Sequence, residues 1–237
     1  MLKLSIVIPV FNEVNCLDQF TKKLFESFKN EIVEYIFVDD GSYDGSSEWL
    51  FDFCNSKLNK NCKLISLKNN IGKGNAFHQG LKIANGQFIL FQDADLELDT
   101  NDSLEMLKII SDDVAINCLF GSRYLSGKLK NNNNYLYEFV GKFNSLLFNI
   151  LFNKSLSDLH CGTKIISKEI LDSLNLTIKD FGVEIDLAAQ ISKKNYDIYE
   201  HGISYFPRTK KEGKKITWMD GLKSYFYLFK LRFIQKK

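Results

Sequence analysis

Apolar and polar positions along the chain switch between two periods. KLSIVIPVF (3–11) is a near-continuous apolar run with β-branched residues, the pattern of a strand covered on both faces. Leu17, Phe20, Leu24 and Phe28 then recur at helical spacing. The alternation repeats. EYIFVDD (34–40) reads as a second strand and runs into GSYDGSS, a turn rich in Gly and Ser. Trp49, Leu50 and Phe53 suit a helix, and CKLISLK (62–68) a third strand. After NNIGKGN, a helix carries Ala76, Phe77, Gly80, Leu81 and Ala84. FILFQ (88–92) is a fourth strand, Leu104, Leu107 and Ile110 mark another helix, and AINCLFGSR (115–123) is a fifth strand. Alternation over the first 125 or so residues predicts an α/β fold: a parallel sheet with helices on both faces and right-handed crossovers.

The second half is less regular. Residues 135–152 place Phe139, Phe143, Leu146, Leu147, Ile150 and Leu151 along one helix face. A short strand, KIIS, leads to a helix starting near Lys168, and FGVEIDLAAQISKK (181–194) is a further helix. DIYEHGISYFP (197–207) reads as extended, and RTKKEGKK (208–215) as a basic loop. The chain closes on a basic, aromatic helix with Trp218, Leu222, Phe226, Phe229 and Phe233 in a stripe and Lys223, Lys230 and Arg232 interspersed. Such a helix either lies in a membrane interface or packs as a last core helix. The interface reading is favoured, because a lipid acceptor would account for both amphipathic helices. No internal repeat is present, and Asn131 to Asn134 is the sole low-complexity run. The expected division is one domain over 1–217, with an alternating half (1–125) and a less regular half (126–217), followed by the helix 218–237.

Composition narrows this little. A length of 237 residues allows one large core. The net charge of +2 is too small to argue for a nucleic-acid partner. Five cysteines, an odd number without a C-x-x-C pair, fit a reducing compartment and speak against a disulfide framework or a structural zinc site. No apolar run reaches the ~18 residues of a spanning helix. The expectation is a cytoplasmic protein, free or peripheral at a membrane face.

In doubly wound sheets ligands bind beyond the carboxyl ends of the strands. The sharpest polar clusters fall there: Asn12–Glu13, Asp39–Asp40, Asn69 to Lys73, Asp93–Asp95 and Arg123. Asp93 and Asp95 flank Ala94, and in extended backbone residues i and i+2 project the same way. Two carboxylates so placed need water or a cation between them. Oxygen donors in small number suit Mg²⁺ or Mn²⁺, with remaining ligands from a diphosphate; an acidic turn is the bland alternative. Asp39–Asp40–Gly41–Ser42 can accept from a ribose or base edge, or simply cap the next helix. Gly72, Lys73 and Gly74 at a helix start suit an anion, or form a plain turn. Arg123 reads as a surface ion pair or a phosphate ligand. Glu184 and Asp186 fall on different helix faces, so one is a candidate general base and the other structural, against a commoner fate as solvated or capping residues. His160 and Cys161 adjoin without a third member for a nucleophilic triad.

SIVIPVFNE, VDDGSYDGS, NNIGKGNAFHQGLKIANG, FQDADLELD and FGSRY, in this order and spacing, resemble the family-two glycosyltransferases of the GT-A fold. The likeness is strongest to dolichyl-phosphate mannose synthases and related polyprenyl-phosphate glycosyltransferases. It extends through NSLLFNILFNKSLSDLHCGTKIISKEIL and the block from Pro207–Arg208 to Lys215, and so covers nearly the whole chain. The resemblance implies a Rossmann-like, mostly parallel sheet with amphipathic C-terminal helices. It implies a nucleotide-diphosphate sugar donor, of GDP-mannose or UDP-glucose type, and a polyprenyl phosphate acceptor. Asp39 and Asp40 would hold the nucleoside, with Pro9, Asn12 and Glu13 in the same pocket. Asp93 and Asp95 would hold the divalent cation and the diphosphate. Arg123, Arg208 and Lys214 would face phosphates. The family inverts by direct displacement. Many relatives carry transmembrane helices after the catalytic domain, whereas this chain stops at Lys237, so the implied lipid access runs through the amphipathic helices or a separate membrane protein. Asp158 to Lys164, DLHCGTK, departs from the mannose synthase pattern and leaves the sugar open. The alternatives are a saccharide acceptor in cell-surface polysaccharide assembly and a degenerate, non-catalytic binding protein.

Overall fold

The structure, a computed structural model, describes residues 3–125, 135–209 and 218–234, without the side chains of 135–137, 218 and 222. Lys214, most of the basic loop, Asn131 to Asn134 and the side chains of Trp218 and Leu222 therefore lie outside the described residues. The strands are β1 (Leu4–Val10), β2 (Val33–Asp39), β3 (Cys62–Ser66), β4 (Phe88–Phe91), β5 (Cys118–Ser122), β6 (Lys164–Ser167) and β7 (Tyr199–Gly202). The helices are α1 (Val14–Ser27), α2 (Ser46–Asn55), α3 (Lys73–Ile83), α4 (Thr100–Asp112), α5 (Tyr135–Phe152), α6 (Lys168–Ser173), α7 (Val183–Lys193) and α8 (Trp218–Phe229). A π-helical turn, Lys230–Ile234, follows α8.

All seven strands join one sheet in the order β3-β2-β1-β4-β6-β5-β7. Six run in one direction and β6 runs against them, antiparallel to β4 and to β5. The alternation of the first half predicts a parallel sheet; β6, a strand from the second half, enters it in reverse between β4 and β5. Periodicity marks which residues form strands but not which strands pair, so this order is invisible in the pattern. The extended reading of 197–207 shortens to β7, with Tyr205 forming a single antiparallel bridge to Leu98.

Side chains alternate across β1 as a twofold period requires. Val7 enters the core layer that holds Ala76 and Phe77 of α3, Phe148 of α5, Ile185 of α7 and Leu228 of α8. Ile6 and Ile8 enter the opposite layer with Phe20 of α1, Leu50 of α2 and Met106 of α4. The sheet is thus covered on both faces, and polar ligands are left only its edges. The reversal of β6 has a direct consequence for the site. Lys164, at its amino end, sits in register with Phe91 of β4 and Phe120 of β5. The segment leading into β6, Asp158 to Thr163, therefore arrives at the carboxyl ends of the other strands.

Candidate active site

At that edge a cavity of about 930 Å³ opens, the size of a small-molecule site. Of the residues expected there, Pro9, Glu13, Asp40, Lys73, Asp93, Ala94, Asp95, Arg123, Glu184 and Arg208 line it. Asn12, Asp39, Gly41 and Ser42 stand behind it. The Asn12 N–H donates to Ser42 Oγ at 2.9 Å, the Ser42 N–H donates to Asp39 Oδ1 at 3.0 Å, and Asn12 Oδ1 accepts from the Tyr43 N–H at 2.9 Å. Asp40 is buried, and its carboxylate accepts the N–H groups of Ile71 and Gly72 at 3.1 and 2.7 Å, tying the loop that begins α3. Burial raises its pKa, partly offset by those donors.

The two carboxylates of the D-x-D stretch are not side by side on a strand. β4 ends at Phe91, and the backbone bends through 94–97, with Leu96 at φ 61°. Each acid meets a different cation. Lys73 Nζ lies 2.8 Å from Asp93 Oδ1 and 2.7 Å from Glu184 Oε1. Arg208 donates to both oxygens of Glu13, at 2.8 and 3.1 Å, and to Asp95 Oδ2 at 3.2 Å, while its backbone N–H donates to Glu97 at 2.8 Å. Five carboxylates, Glu13, Asp93, Asp95, Glu97 and Glu184, thus meet two cations among the described residues.

The electrostatics follow from that imbalance. Burial, Asp93 and Glu97 push the Asp95 carboxyl up to about 7, and the single shared guanidinium of Arg208 does not compensate. For Glu184, burial is outweighed by Lys73, then Lys164 and His160, which hold it below the ordinary carboxylate range. Burial lowers Lys73, but Asp93 and Glu184 reverse this and keep it firmly protonated. Glu184 is therefore neither solvated nor a cap, the commoner fates of such a residue: it is 7% exposed and bonded to Lys73. Asp186 faces elsewhere, as helical spacing requires, and accepts the N–H groups of Thr177 and Ile178. Arg123 is not a surface pair. Its Nε and Nη2 reach the two oxygens of buried Asp158 at 2.7 and 2.8 Å, and it lies over the Tyr205 ring at 5.1 Å.

The acid excess fits a hard cation. Oxygen donors dominate, and the Asp95 carboxyl, raised by burial and by Asp93 and Glu97, has more negative charge around it than Arg208 offsets. Gly162 leaves the approach to Asp93 open, since a Cβ there would stand 2.0 Å from Asp93 Oδ2. No group of three or more His, Cys, Asp or Glu is gathered around one point among the described residues. The protein thus offers a carboxylate or two, the ligand share typical of Mg²⁺ with phosphates and water completing the shell.

Several lining residues were given no role from the sequence. His160 Nε2 lies 3.1 Å from Asn144 Nδ2 and its Nδ1 3.9 Å from Glu184; burial lowers its pKa against the opposing pull of Glu184 and Asp158. Glu97 was visible in the acidic stretch but not its hold on Arg208, 111 residues away. The cavity continues from the acids into a cleft between α5 and α8, lined by Val140, Gly141, Gly221, Ser224 and Tyr225. No strong local motif marks these positions.

Six like-directed strands with one reversed and helices on both faces, with an acidic cluster at the carboxyl edge, make this an α/β protein of the GT-A fold. The chain belongs to glycosyl transferase family 2, whose model matches residues 5–174. It is 28% identical over 228 residues to a dolichyl-phosphate beta-glucosyltransferase of Dictyostelium discoideum, covering 90% of this chain and 68% of that protein. It is 30% identical over 206 residues to a mouse protein of the same description, covering 79% of this chain and 63% of that one. Over 174 residues it is 27% identical to an undecaprenyl-phosphate 4-deoxy-4-formamido-L-arabinose transferase of Proteus mirabilis, covering 73% and 51%. Among solved structures, a glucosyl-3-phosphoglycerate synthase of Mycobacterium tuberculosis, in complex with Mn²⁺, UDP and phosphoglyceric acid, matches with a TM-score of 0.73 at 17% identity, over all of this chain and 80% of that one.

Proposed function

We propose that the chain transfers a hexose, with inversion, from a nucleotide-diphosphate sugar to a polyprenyl phosphate. The observation that carries this reading is the shape of the cavity: an acidic, cation-paired end at the sheet edge runs into a cleft between two amphipathic helices. The first suits a sugar diphosphate and the second a lipid-linked acceptor. The three relatives named above, all described as acting on polyprenyl-type phosphates, support the acceptor class, and two of them support glucose over mannose.

In this reading an acceptor phosphate oxygen attacks the anomeric carbon, and the bond from that carbon to the leaving diphosphate breaks. A lipid phosphate is already ionised near neutral pH, so the acceptor needs positioning more than a base. Arg123, fixed by Asp158, and Arg208 are the cations assigned to phosphates, and Lys73 orients Asp93 and Glu184. Asp93 and Asp95 would hold Mg²⁺ or Mn²⁺, which when bound neutralises charge on the leaving diphosphate. Asp39, Asn12, Gly41 and Ser42 shape the nucleoside pocket from behind its wall, and Asp40 and Pro9 face it.

A peripheral membrane contact is part of the proposal. Phe139, Phe143, Leu146 and Ile150 of α5 and Phe226 and Phe229 of α8 are exposed, with Phe233 just beyond. Lys223 and Arg232 are exposed beside them, a combination suited to an anionic lipid surface. No helix among the described residues is long and apolar enough to cross a membrane. All five cysteines are free, which supports the cytoplasmic face.

The test incubates the protein and Mn²⁺ with labelled UDP-glucose or GDP-mannose and polyprenyl phosphate. Label from UDP-glucose should move into the organic phase. Label that stays aqueous with every donor, or moves only to soluble saccharides, defeats the reading.

A further inference from the structure

We propose that Tyr227 is a positioning residue for the transfer reaction: through Asp180 it holds the loop that seats Glu184 against Lys73. The inference rests on the reading of this cavity as the reaction centre. The Tyr227 hydroxyl donates to Asp180 Oδ2 at 2.7 Å. The other oxygen of that carboxylate accepts the Gly182 N–H at 2.9 Å. Gly182 opens α7, its carbonyl accepting the N–H groups of Ile185 and Asp186 at 3.0 Å each. Glu184 lies in that first turn, bonded to Lys73 at 2.7 Å.

The same loop is tied on its other side to α3, where the Asn75 N–H donates to the Lys179 carbonyl at 2.8 Å. Residues 178–182 thus lie between the helix that carries Lys73 and the helix that carries Tyr227. The fit is close. A Cβ on Gly182 would stand 2.4 Å from the Tyr227 ring, so only glycine admits the ring here. Lys223 also faces Asp180, at 3.9 Å, but it is half exposed and contributes a screened contact.

Packing alone does not call for the hydroxyl. Leu228 and Leu231, both buried, already anchor this end of the chain, and a phenylalanine ring would fill the same space. What the hydroxyl adds is direction: it fixes the Asp180 carboxylate, which fixes the start of α7.

Tyr227→Phe in the full chain tests this by steady-state transfer to polyprenyl phosphate. kcat should fall about tenfold, the scale of one hydrogen bond to a charged group. KM for the nucleotide sugar should stay within about twofold, and Tm should fall by no more than the about 2–4 °C per kcal/mol that one lost hydrogen bond removes. Asp180→Asn should lose a similar factor, and the double variant no more than either alone, because both break one link. Unchanged kcat in Tyr227→Phe, losses that multiply in the double variant, or a KM that rises as far as kcat falls would each overturn the assignment while leaving the proposed function standing. A wild-type chain that transfers to no lipid phosphate would overturn the proposed function, and this assignment with it.

Discussion

Arg208 meets three acids at once, Glu13, Asp95 and Glu97, and is the one described cation that reaches Asp95. Its side chain is 14% exposed and that of Glu13 8%, so solvent replaces little of what it supplies. Arg208→Ala should cost about 3 kcal/mol, because it leaves acids buried without their partner. Denaturant melts check this, with Lys22→Ala, from an exposed pair, expected to cost under about 1 kcal/mol as the reference. Gly162→Ala makes a different demand. Its methyl would collide with Asp93 Oδ2 and turn that carboxylate. Calorimetry of Mn²⁺ with nucleoside diphosphate should show affinity reduced at least about tenfold; wild-type affinity would detach Asp93 from the cation. At this scale the acids themselves were legible, since apolar strands ending in Asp invite a chemical reading. Their partners were not. Asp158 lies 35 residues from Arg123 and Glu184 lies 111 from Lys73, and no local spacing links such pairs.

Among the elements, α8 packs on the core with Leu228, as the core-helix reading expects, and keeps Phe226 and Phe229 outward, the face on which the interface reading is to be tested. Leu228→Ala should therefore destabilise the fold by about 3 kcal/mol. Replacing Phe226, Phe229 and Phe233 together by Ser should leave Tm within about 2 °C. The same change should weaken binding to anionic vesicles at least about tenfold in a flotation assay. If the serine variant unfolds, or floats as well as wild type, the outward face is not a lipid contact. The α5 stripe was likewise legible, since 3.6-residue periodicity survives whatever the helix packs against.

For the whole molecule, the sheet edge opposite the site sets an acid limit on stability. Glu34 of β2 accepts from Ser5 of β1, from Lys63 of β3 at 2.6 Å and from the Asn85 N–H. Burial opposes its ionisation, but these donors prevail and bring its pKa from 4.5 to about 2. The unfolded chain binds the proton more readily, so this contribution is fully present above about pH 4.5 and drains away as pH falls toward 2. Glu34→Gln should flatten the rise of Tm between pH 2 and 4.5, measured by circular dichroism; a slope like that of wild type would remove Glu34 from the acid transition. At this scale the chain by itself determined the layered α/β plan and the edge on which the polar clusters fall, because burial on both faces and termination in polar turns are properties of consecutive residues. Only the tertiary structure decided that β6 enters in reverse between β4 and β5. That reversal brings His160 and Gly162 to the acids. It likewise took the folded chain to assign each carboxylate its cation. Strand pairing and ion pairing join positions tens of residues apart, and their energies depend on distance in space rather than on distance along the chain.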